Sequence, residues 1–337
     1  MIRDKLRVAL VGFGRMAAGY SADNAMAKHY KFASHAQVLQ AHPRLDWRVV
    51  VDTDPVVLDA ARKDWAVPRA VSSLCELGSA AADIDLVVLS TPPEARLGVL
   101  SGLPGLRAVL AEKPLGENLT SAEQFLAECQ ARSLFVQVNF WRRADTLFRA
   151  LAGGRLSDLI GQPMAVNCYY GNGLLNNGSH MVDMVRMLFG ECFSVQVHVR
   201  GNWLVNGPIP GDINPSFALR MGSGLVVSFT PIDFRMYREN GLIIWGTEGK
   251  LEILNEGLVV RHYRLVPNRA MTGECEIAND APVDLSSTVG VALYSVYENL
   301  LDALDADDPG LLHSPGGSAI ASARLVDDIL QAANNCQ

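Results

Sequence analysis

What the sequence lacks narrows it first. Lysine and arginine total 29 against 36 acidic residues, a formal net charge of −7, and no basic run breaks that balance. Nucleic acid and anionic membrane are therefore poor partners, since both are held through basic patches. No stretch approaches the ~18 consecutive apolar residues of a membrane span. The opening MIRDKLRVALVGFG passes from charge into an apolar run too brief for a signal-peptide h-region, so no secretory leader is expected and the protein is placed in the cytoplasm. The six cysteines (Cys75, Cys129, Cys168, Cys192, Cys275, Cys336) contain no C-x-x-C pair, which predicts buried free thiols in a reducing compartment. There is no internal repeat and no low-complexity segment.

What remains is a globular composition, 49% hydrophobic and 19% charged, over 337 residues. That length predicts two domains. In the first 140 residues or so, apolar β-rich runs (RVALVGFG, WRVVVDTD, IDLVVLSTPP, RAVLAEKP, LFVQVNF) alternate with helical spacing, as in DPVVLDAARKDW and SAEQFLAECQAR. Near-continuous apolar strands separated by helices predict a doubly wound parallel sheet covered on both faces, a Rossmann-like α/β domain over 1–141. After RRADTLFRALAGG, strand-like runs follow one another with short turns between many of them. This predicts an α+β domain over 142–337, an open and largely antiparallel sheet with helices on one face. One amphipathic helix is expected near 179–189 and two more at about 288–304 and 316–334, the last able to pack back on the first domain.

VALVGFGRMA puts Gly12, Gly14 and Ala17 in a G-x-G-x-x-A arrangement directly after the first strand. Gly12 allows a tight turn, Gly14 lets backbone approach a pyrophosphate, and a small third residue keeps the following helix close to the sheet. The turn, with Phe13, Arg15 and Met16, is therefore a dinucleotide-binding candidate. Asp52 ends the second strand, where a carboxylate accepts the ribose hydroxyls and repels a 2′-phosphate, favouring NAD over NADP. Arg15 argues the other way, because a guanidinium there can pair with that phosphate. Asp52 also lies well beyond the usual ~20 residues from the glycines. The excess, YSADNAMAKHYKFASHAQVLQ, has two readings: a longer first helix and loop, or a lid carrying Lys28, His29 or Tyr30 towards a charged substrate. Thr91 and Pro92 in STPP shape a loop at the carboxyl edge of the sheet, where such folds bind ligands.

LLNNGSHMVD, residues 174–183, spaces Asn176, His180 and Asp183 so that one helix face carries all three. The stretch could be a catalytic base, a metal site or a helix start. For a metal, no further His or Cys cluster supplies a third ligand, so none is expected.

With Glu112-Lys113-Pro114 and IIWGTEGKLEI added in the same order, the chain resembles the Gfo/Idh/MocA family, relatives of glucose–fructose oxidoreductase and inositol dehydrogenase, over nearly its whole length. The resemblance implies NAD(P)-dependent oxidation or reduction of a secondary alcohol on a sugar, cyclitol or nucleotide-linked sugar. It also implies a homodimer or homotetramer formed through the second domain's sheet. It assigns Glu112 and Lys113 to the cofactor end, and Lys113 and His180 to the reacting hydroxyl. The chemistry agrees: as hydride leaves the carbinol carbon, a neutral imidazole can take the hydroxyl proton and an ammonium can stabilise the developing alkoxide. A helix starting near Gly178 puts His180 in its first turn, where the dipole favours the uncharged ring. The family's polyol dehydrogenases usually carry Asp four residues before this histidine. Asn176 stands there instead and can orient a hydroxyl but cannot hold charge. Tyr169 and Tyr170 are candidate substitutes, as proton donor or substrate contact, against plain sheet packing. Asp183 is expected to brace His180 or bind substrate, against a role as helix acid. Asn139, Arg142 and Arg143 border the domain exit, with Arg142 a candidate substrate contact. The competing class is a nucleotide-binding sensor or partner subunit without turnover.

Overall fold

The computed structural model describes residues 5–197, 204–205 and 207–335. The chain divides into two compact units, residues 1–144 with 290–320 and residues 145–289 with 321–337.

The first unit is built on six parallel strands: β1 (Leu6–Val11), β2 (Leu45–Val51), β3 (Arg69–Val71), β4 (Leu86–Leu89), β5 (Ala108–Ala111) and β6 (Phe135–Val138). Their order is β3-β2-β1-β4-β5-β6. Alternate residues feed two cores. Val8, Leu10, Val50, Leu86, Val88 and Leu110 enter one; Ala9, Val11, Val51, Val87, Leu89 and Val109 enter the other. Every residue of β4, β5 and β6 is buried, which is why these runs read as continuously apolar. Helices α1 (His35–Ala41) and α8 (Ala292–Ala306) supply one core; α3 (Arg96–Gly102) and α4 (Leu119–Ala131) supply the other. The helix α2 (Pro55–Lys63) follows β2 and starts on an Asp54 cap. The sheet reverses direction between β1 and β4, the switch point at which such sheets bind ligands.

Within this unit, buried Gln137 explains why 290–320 belongs to it. Its Nε2 donates to Asn299 Oδ1 at 2.8 Å and its Oε1 accepts from the Ser314 N–H at 3.1 Å. These bonds satisfy a polar group in the middle of β6 and tie α8 to that strand.

The segment after the glycine turn is not a continuous longer helix. Ala18 (φ −143°) breaks the helical run after one turn, and two short 3₁₀ turns follow at Gly19–Ala22 and Met26–Lys28. The Asp23 side chain accepts the Ala25 and Met26 N–H groups, which locks that local bend. Regular helix resumes only at His35, behind a Ser34/Gln37 capping box. Lys31 N–H donates to Gly290 O and Tyr30 packs edge-on against Trp141, so the segment is anchored within its own unit.

The second unit carries α5 (Thr146–Ala150), α6 (Leu156–Ile160), α7 (Ser179–Phe189) and Ala321 onward of α9 (Gly316–Asn334). Its strands are β7 (Pro163–Tyr170), β8 (Cys192–Val197), β9 (Leu204–Val205), β10 (Ile213–Asn214), β11 (Phe217–Met221), β12 (Val226–Pro231), β13 (Gly241–Gly246), β14 (Gly249–Leu254), β15 (Val259–Pro267), β16 (Cys275–Ile277) and β17 (Val283–Asp284). Nine form one sheet, ordered β16-β15-β14-β13-β7-β12-β11-β8 with β17 paired to β15; β9 and β10 pair apart. Among the described strands of this sheet, only β7 and β12 run parallel; the other pairs are antiparallel. Of the strand-like run FSVQVHV (193–199), the structure shows strand over Cys192–Val197, with 198 and 199 outside the described residues. Strict alternation, as in the buried–half-buried pattern of β14, marks a sheet with one covered face.

One expectation is corrected here. Cys129 and Cys168 are buried, but Cys75 and Cys275 are exposed and Cys192 is half-buried. Cys75 sits in a 3₁₀ turn and Cys275 on a three-residue strand, neither covered on both sides. Cys336 lies outside the described residues. None of the described helices is long and apolar enough to cross a membrane.

Candidate functional site

The switch point of the first unit holds the glycine turn. Gly12 has φ +85°, and a Cβ there would lie 2.6 Å from Ser90 O and 2.8 Å from Thr91 N. The β1 turn therefore touches the loop after β4 backbone to backbone, and only glycine permits it. A Cβ on Gly14 would meet nothing within 4 Å. The space beside this exposed backbone is what a pyrophosphate requires. Asp52 reaches back so that its Oδ2 accepts the Phe13 N–H at 2.6 Å, while Oδ1 accepts Asp54 N–H at 2.9 Å. Carboxylate oxygens have further lone pairs, so both remain able to accept hydroxyls. Arg15 is exposed and Met16 half-buried beside them. A cavity of about 470 Å³ adjoins the turn, lined by Val11, Val51, Leu74, Cys75, Val99 and Gly102 among others.

Thr91 and Pro92 follow β4, with Pro92 exposed. The Thr91 Oγ1 is buried without a hydrogen-bond partner, an orphaned group that a ligand oxygen can satisfy. Buried Arg96 staples the neighbouring loops, donating to Thr91 O at 3.1 Å and to Pro114 O. Burial pulls the guanidinium down to about 10, against the opposing pull of Glu112 and Glu94, so it stays a cation at neutral pH. The open Gly14 backbone, the orphaned Thr91 hydroxyl and the Asp52 carboxylate together fit a dinucleotide.

Glu112 and Lys113 leave the end of β5, and the Lys113–Pro114 bond is cis. Glu112 Oε1 accepts from Asn139 Nδ2 at 2.7 Å and lies 2.9 Å from His35 Nε2. Burial pushes this carboxyl up, but the His35 and Asn139 hydrogen bonds and the Lys113 charge outweigh it and hold the group below the ordinary glutamate value. Lys113 is half-buried. Arg142, expected at the domain exit, is buried with its guanidinium 4.2 Å over the Trp141 ring.

In the second unit, the histidine motif is not a simple helix start. A π-helical turn, Leu174–Gly178, runs straight into α7 from Gly173 (φ +92°). His180 is thus about two turns into the helical run, and the expected dipole effect on its ring falls away, because that effect is confined to the first turn. The true N-terminus is capped by Asp212, only 1% exposed, whose oxygens accept Leu175 and Asn176 N–H, each at 2.9 Å. A Cβ on Gly173 would fall 1.9 Å from Asp212 Oδ2. Asn214 Oδ1 accepts the Gly173 N–H at 2.8 Å. Asn176 Nδ2 donates to Asn172 O at 3.2 Å, which turns the amide onto its own loop. The neighbouring Asn177 is buried with its Nδ2 unpartnered. Asp183 is 2% exposed and accepts from Ser322 Oγ at 2.7 Å, with Arg186 at 3.9 Å, an internal brace between α7 and α9.

Of the two tyrosines, Tyr170 is corrected. Tyr170 is fully buried among Phe217 and Phe229, its hydroxyl on Pro215 O, and a Cβ on Gly178 would meet its ring at 3.0 Å. It is the packing floor of the motif and no substrate contact. Tyr169, one residue earlier, faces the opposite side of the sheet from the motif, where burial and nearby Glu239 and Glu252 push its phenol up. Among the described residues, no three His, Cys, Asp or Glu side chains gather as a metal would need.

The sequence reading missed His35, Asp212, Asn214 and the cavity walls. The Ser34-x-x-Gln37 box could have started a helix at His35; nothing in sequence joins Asp212 to residues 36 positions away.

Residues 6–140 match an oxidoreductase family with an NAD-binding Rossmann fold, and residues 158–252 match the GFO/IDH/MocA C-terminal domain. The chain belongs to the Gfo/Idh/MocA family. It is 29% identical over 216 residues to a trans-1,2-dihydrobenzene-1,2-diol dehydrogenase of Oryctolagus cuniculus, covering 56% of this chain and 65% of that one. It is 35% identical over 132 residues to an inositol 2-dehydrogenase of Rhodococcus erythropolis, covering 35% and 38%. The WlbA dehydrogenase of Bordetella pertussis, solved with NADH and UDP-GlcNAcA, shares the fold (TM-score 0.71, 19% identity, 98% and 97% covered). This Gfo/Idh/MocA protein is thus an oxidoreductase-family member whose first unit binds NAD.

Proposed function

We propose that the protein is a dehydrogenase or reductase exchanging a hydride with a ring carbon that bears a secondary hydroxyl or ketone, on a sugar, cyclitol or nucleotide-linked sugar. The observation that carries this is the ionised Glu112 carboxylate fixed beside Lys113 at the end of β5, in the unit that holds the glycine turn. A protein that only binds a nucleotide has no use for a cation held there. The named substrates of the relatives, an inositol and a dihydrobenzene diol, are both ring alcohols with adjacent hydroxyls.

When bound, the nicotinamide supplies the hydride acceptor or donor. Gly12, Phe13, Gly14, Arg15 and Met16 form the turn at the pyrophosphate, and the cavity beside Val11 and Val51 accepts the adenine ring on apolar walls. Thr91, Pro92 and Glu112 border the nicotinamide end. Lys113 stabilises the developing alkoxide and His180 takes its proton, roles that rest on the family pattern. Asn176 orients substrate or loop without holding charge.

The test is titration with NADH and NADPH, then a turnover screen over sugars, cyclitols, nucleotide sugars and trans-dihydrodiols. Cofactor binding with hydride transfer on one class is expected. Tight binding with transfer on none would establish the sensor or partner-subunit reading instead, which Asn176 fits equally well. Asp52 sets the cofactor preference towards NAD: Asp52→Ala is expected to weaken NADH about 10-fold and NADPH much less. Equal losses for both cofactors would mean that Asp52 does not read the ribose.

A further inference from the structure

We infer that His35 is a positioning residue for the Lys113 half of the site, an inference that rests on the function proposed above. His35 is fully buried, with Nε2 2.9 Å from Glu112 Oε1 and Nδ1 2.7 Å from Tyr297 Oη. An ionised carboxylate only accepts, so Nε2 carries the proton and donates. The other ring nitrogen, Nδ1, meets the Tyr297 hydroxyl, which can donate to it or accept from it. The result is a hydrogen-bonded chain through Tyr297, His35 and Glu112, ending on an anion beside Lys113. Asn139 Nδ2 donates a second bond to the same oxygen at 2.7 Å. Two donors on one oxygen fix the plane of the carboxylate.

The backbone around it is fixed as well. Glu112 N–H donates to Leu89 O and Asn139 N–H donates to Ala111 O, each at 2.8 Å. Lys113 is therefore presented from a strand end that has little freedom to shift.

The inserted segment explains how a histidine comes to stand there. His35 N–H donates to Met16 O at 3.1 Å and Ala36 N–H to Ala17 O at 2.8 Å. The ladder of the helix begun at the glycine turn is thus resumed by α1 across the excursion, with His35 at the joint. In an uninterrupted helix residue 20 would hold that place. The excursion replaces it with an imidazole that links the turn carrying Gly12 and Gly14 to the carboxylate beside Lys113.

A purely structural contact has no need of this charge. A glutamine at 112 could receive the same two bonds without the desolvation of a carboxylate. The placement of an anion next to Lys113, held by two side-chain donors, is what a positioning role requires.

The test uses His35→Ala, His35→Gln and Tyr297→Phe in the full-length protein, with NADH titration, steady-state kinetics, thermal melting and proton NMR. His35→Ala is expected to lower kcat about 10- to 100-fold, with KM and NADH affinity within about 3-fold of wild type. His35→Gln, whose amide N–H reaches Glu112, recovers most of that loss, and Tyr297→Phe loses less than His35→Ala. A downfield imidazole N–H resonance is expected in wild type and Tyr297→Phe and absent from both His35 variants. A kcat within about 2-fold of wild type in His35→Ala overturns the inference. So does an equal fall of kcat, NADH affinity and Tm in the alanine and glutamine variants. The resonance needs no substrate: a wild type without it removes the His35 role, whatever the turnover. A wild type that shows it but turns over nothing overturns the proposed function, and the positioning role with it, while the hydrogen-bonded chain stands.

Discussion

Lys113→Ala is expected to lower kcat by about 100-fold or more while NADH affinity stays within about 3-fold of wild type. The asymmetry follows from where the residue sits. The parts of the first unit that suit a dinucleotide are the Gly12 turn, the Gly14 backbone, Asp52 and the cavity beside Val51, and none depends on the Lys113 ammonium. Its charge matters when negative charge develops on the substrate oxygen, so its removal appears in the chemical step. Lys113→Ala also leaves Glu112 as an anion without its cation neighbour, which the depressed Glu112 carboxyl already feels. Steady-state kinetics with an independent NADH titration separates the effects. A parallel fall in affinity and kcat would mean that Lys113 binds cofactor and does not assist the reaction. His180→Ala is expected to match Lys113→Ala in size, and near-normal turnover there would remove His180 as the base.

The contrast between these two residues shows how far the sequence could be read. Around Lys113 the backbone was legible, because short-range signals determine it: a strand of continuous apolar residues, a glycine turn at the switch point and a proline after the lysine; His35 behind Glu112 was not. Around His180 the motif was legible and its setting was not. A helix was expected to begin near Gly178, but Asp212 caps the run at Leu175 and Asn176 from across the unit. Tyr170 as a substrate contact failed for a related reason. Which of two adjacent residues faces the core depends on strand parity, and the burial of Val166, Cys168 and Tyr170 sets that parity only in the folded sheet. The membership of 290–320 in the first unit rests on α8 side chains such as Val296, Tyr297 and Leu300 in its core, and on Gln137 meeting Asn299 and Ser314, more than 160 residues away. A polar residue inside an apolar strand was the one visible hint of it. The cysteines show the limit of composition, since free thiols on a three-residue strand or a 3₁₀ turn need not be buried.

Gly12→Ala and Gly14→Ala, compared side by side, are expected to separate stability from cofactor binding. At Gly12 the added methyl meets two costs. The backbone is at φ +85°, where a non-glycine residue costs about 1–2 kcal/mol. Its Cβ would also fall 2.6 Å from Ser90 O and 2.8 Å from Thr91 N, which are backbone atoms and cannot rotate away. The strands around them resist a shift, because Gly12 N–H is bonded to Val51 O and Ser90 N–H to Val11 O, each at 2.8 Å. Overpacking of this kind adds about 1–3 kcal/mol. A total destabilisation of about 2–5 kcal/mol is therefore expected in denaturant unfolding, and since the displaced turn is the one that carries Phe13 and Gly14, NADH affinity should fall about 100-fold or more. Gly14 has no such strain, and its Cβ would meet nothing within 4 Å. Gly14→Ala is expected to unfold within about 0.5 kcal/mol of wild type and still to lose NADH affinity about 10-fold or more, because the methyl stands where a pyrophosphate must approach. If Gly14→Ala binds NADH as wild type does, the pyrophosphate does not pass over this turn. Binding would then have to run along the Thr91–Pro92 loop, where the orphaned Thr91 hydroxyl is the remaining polar anchor.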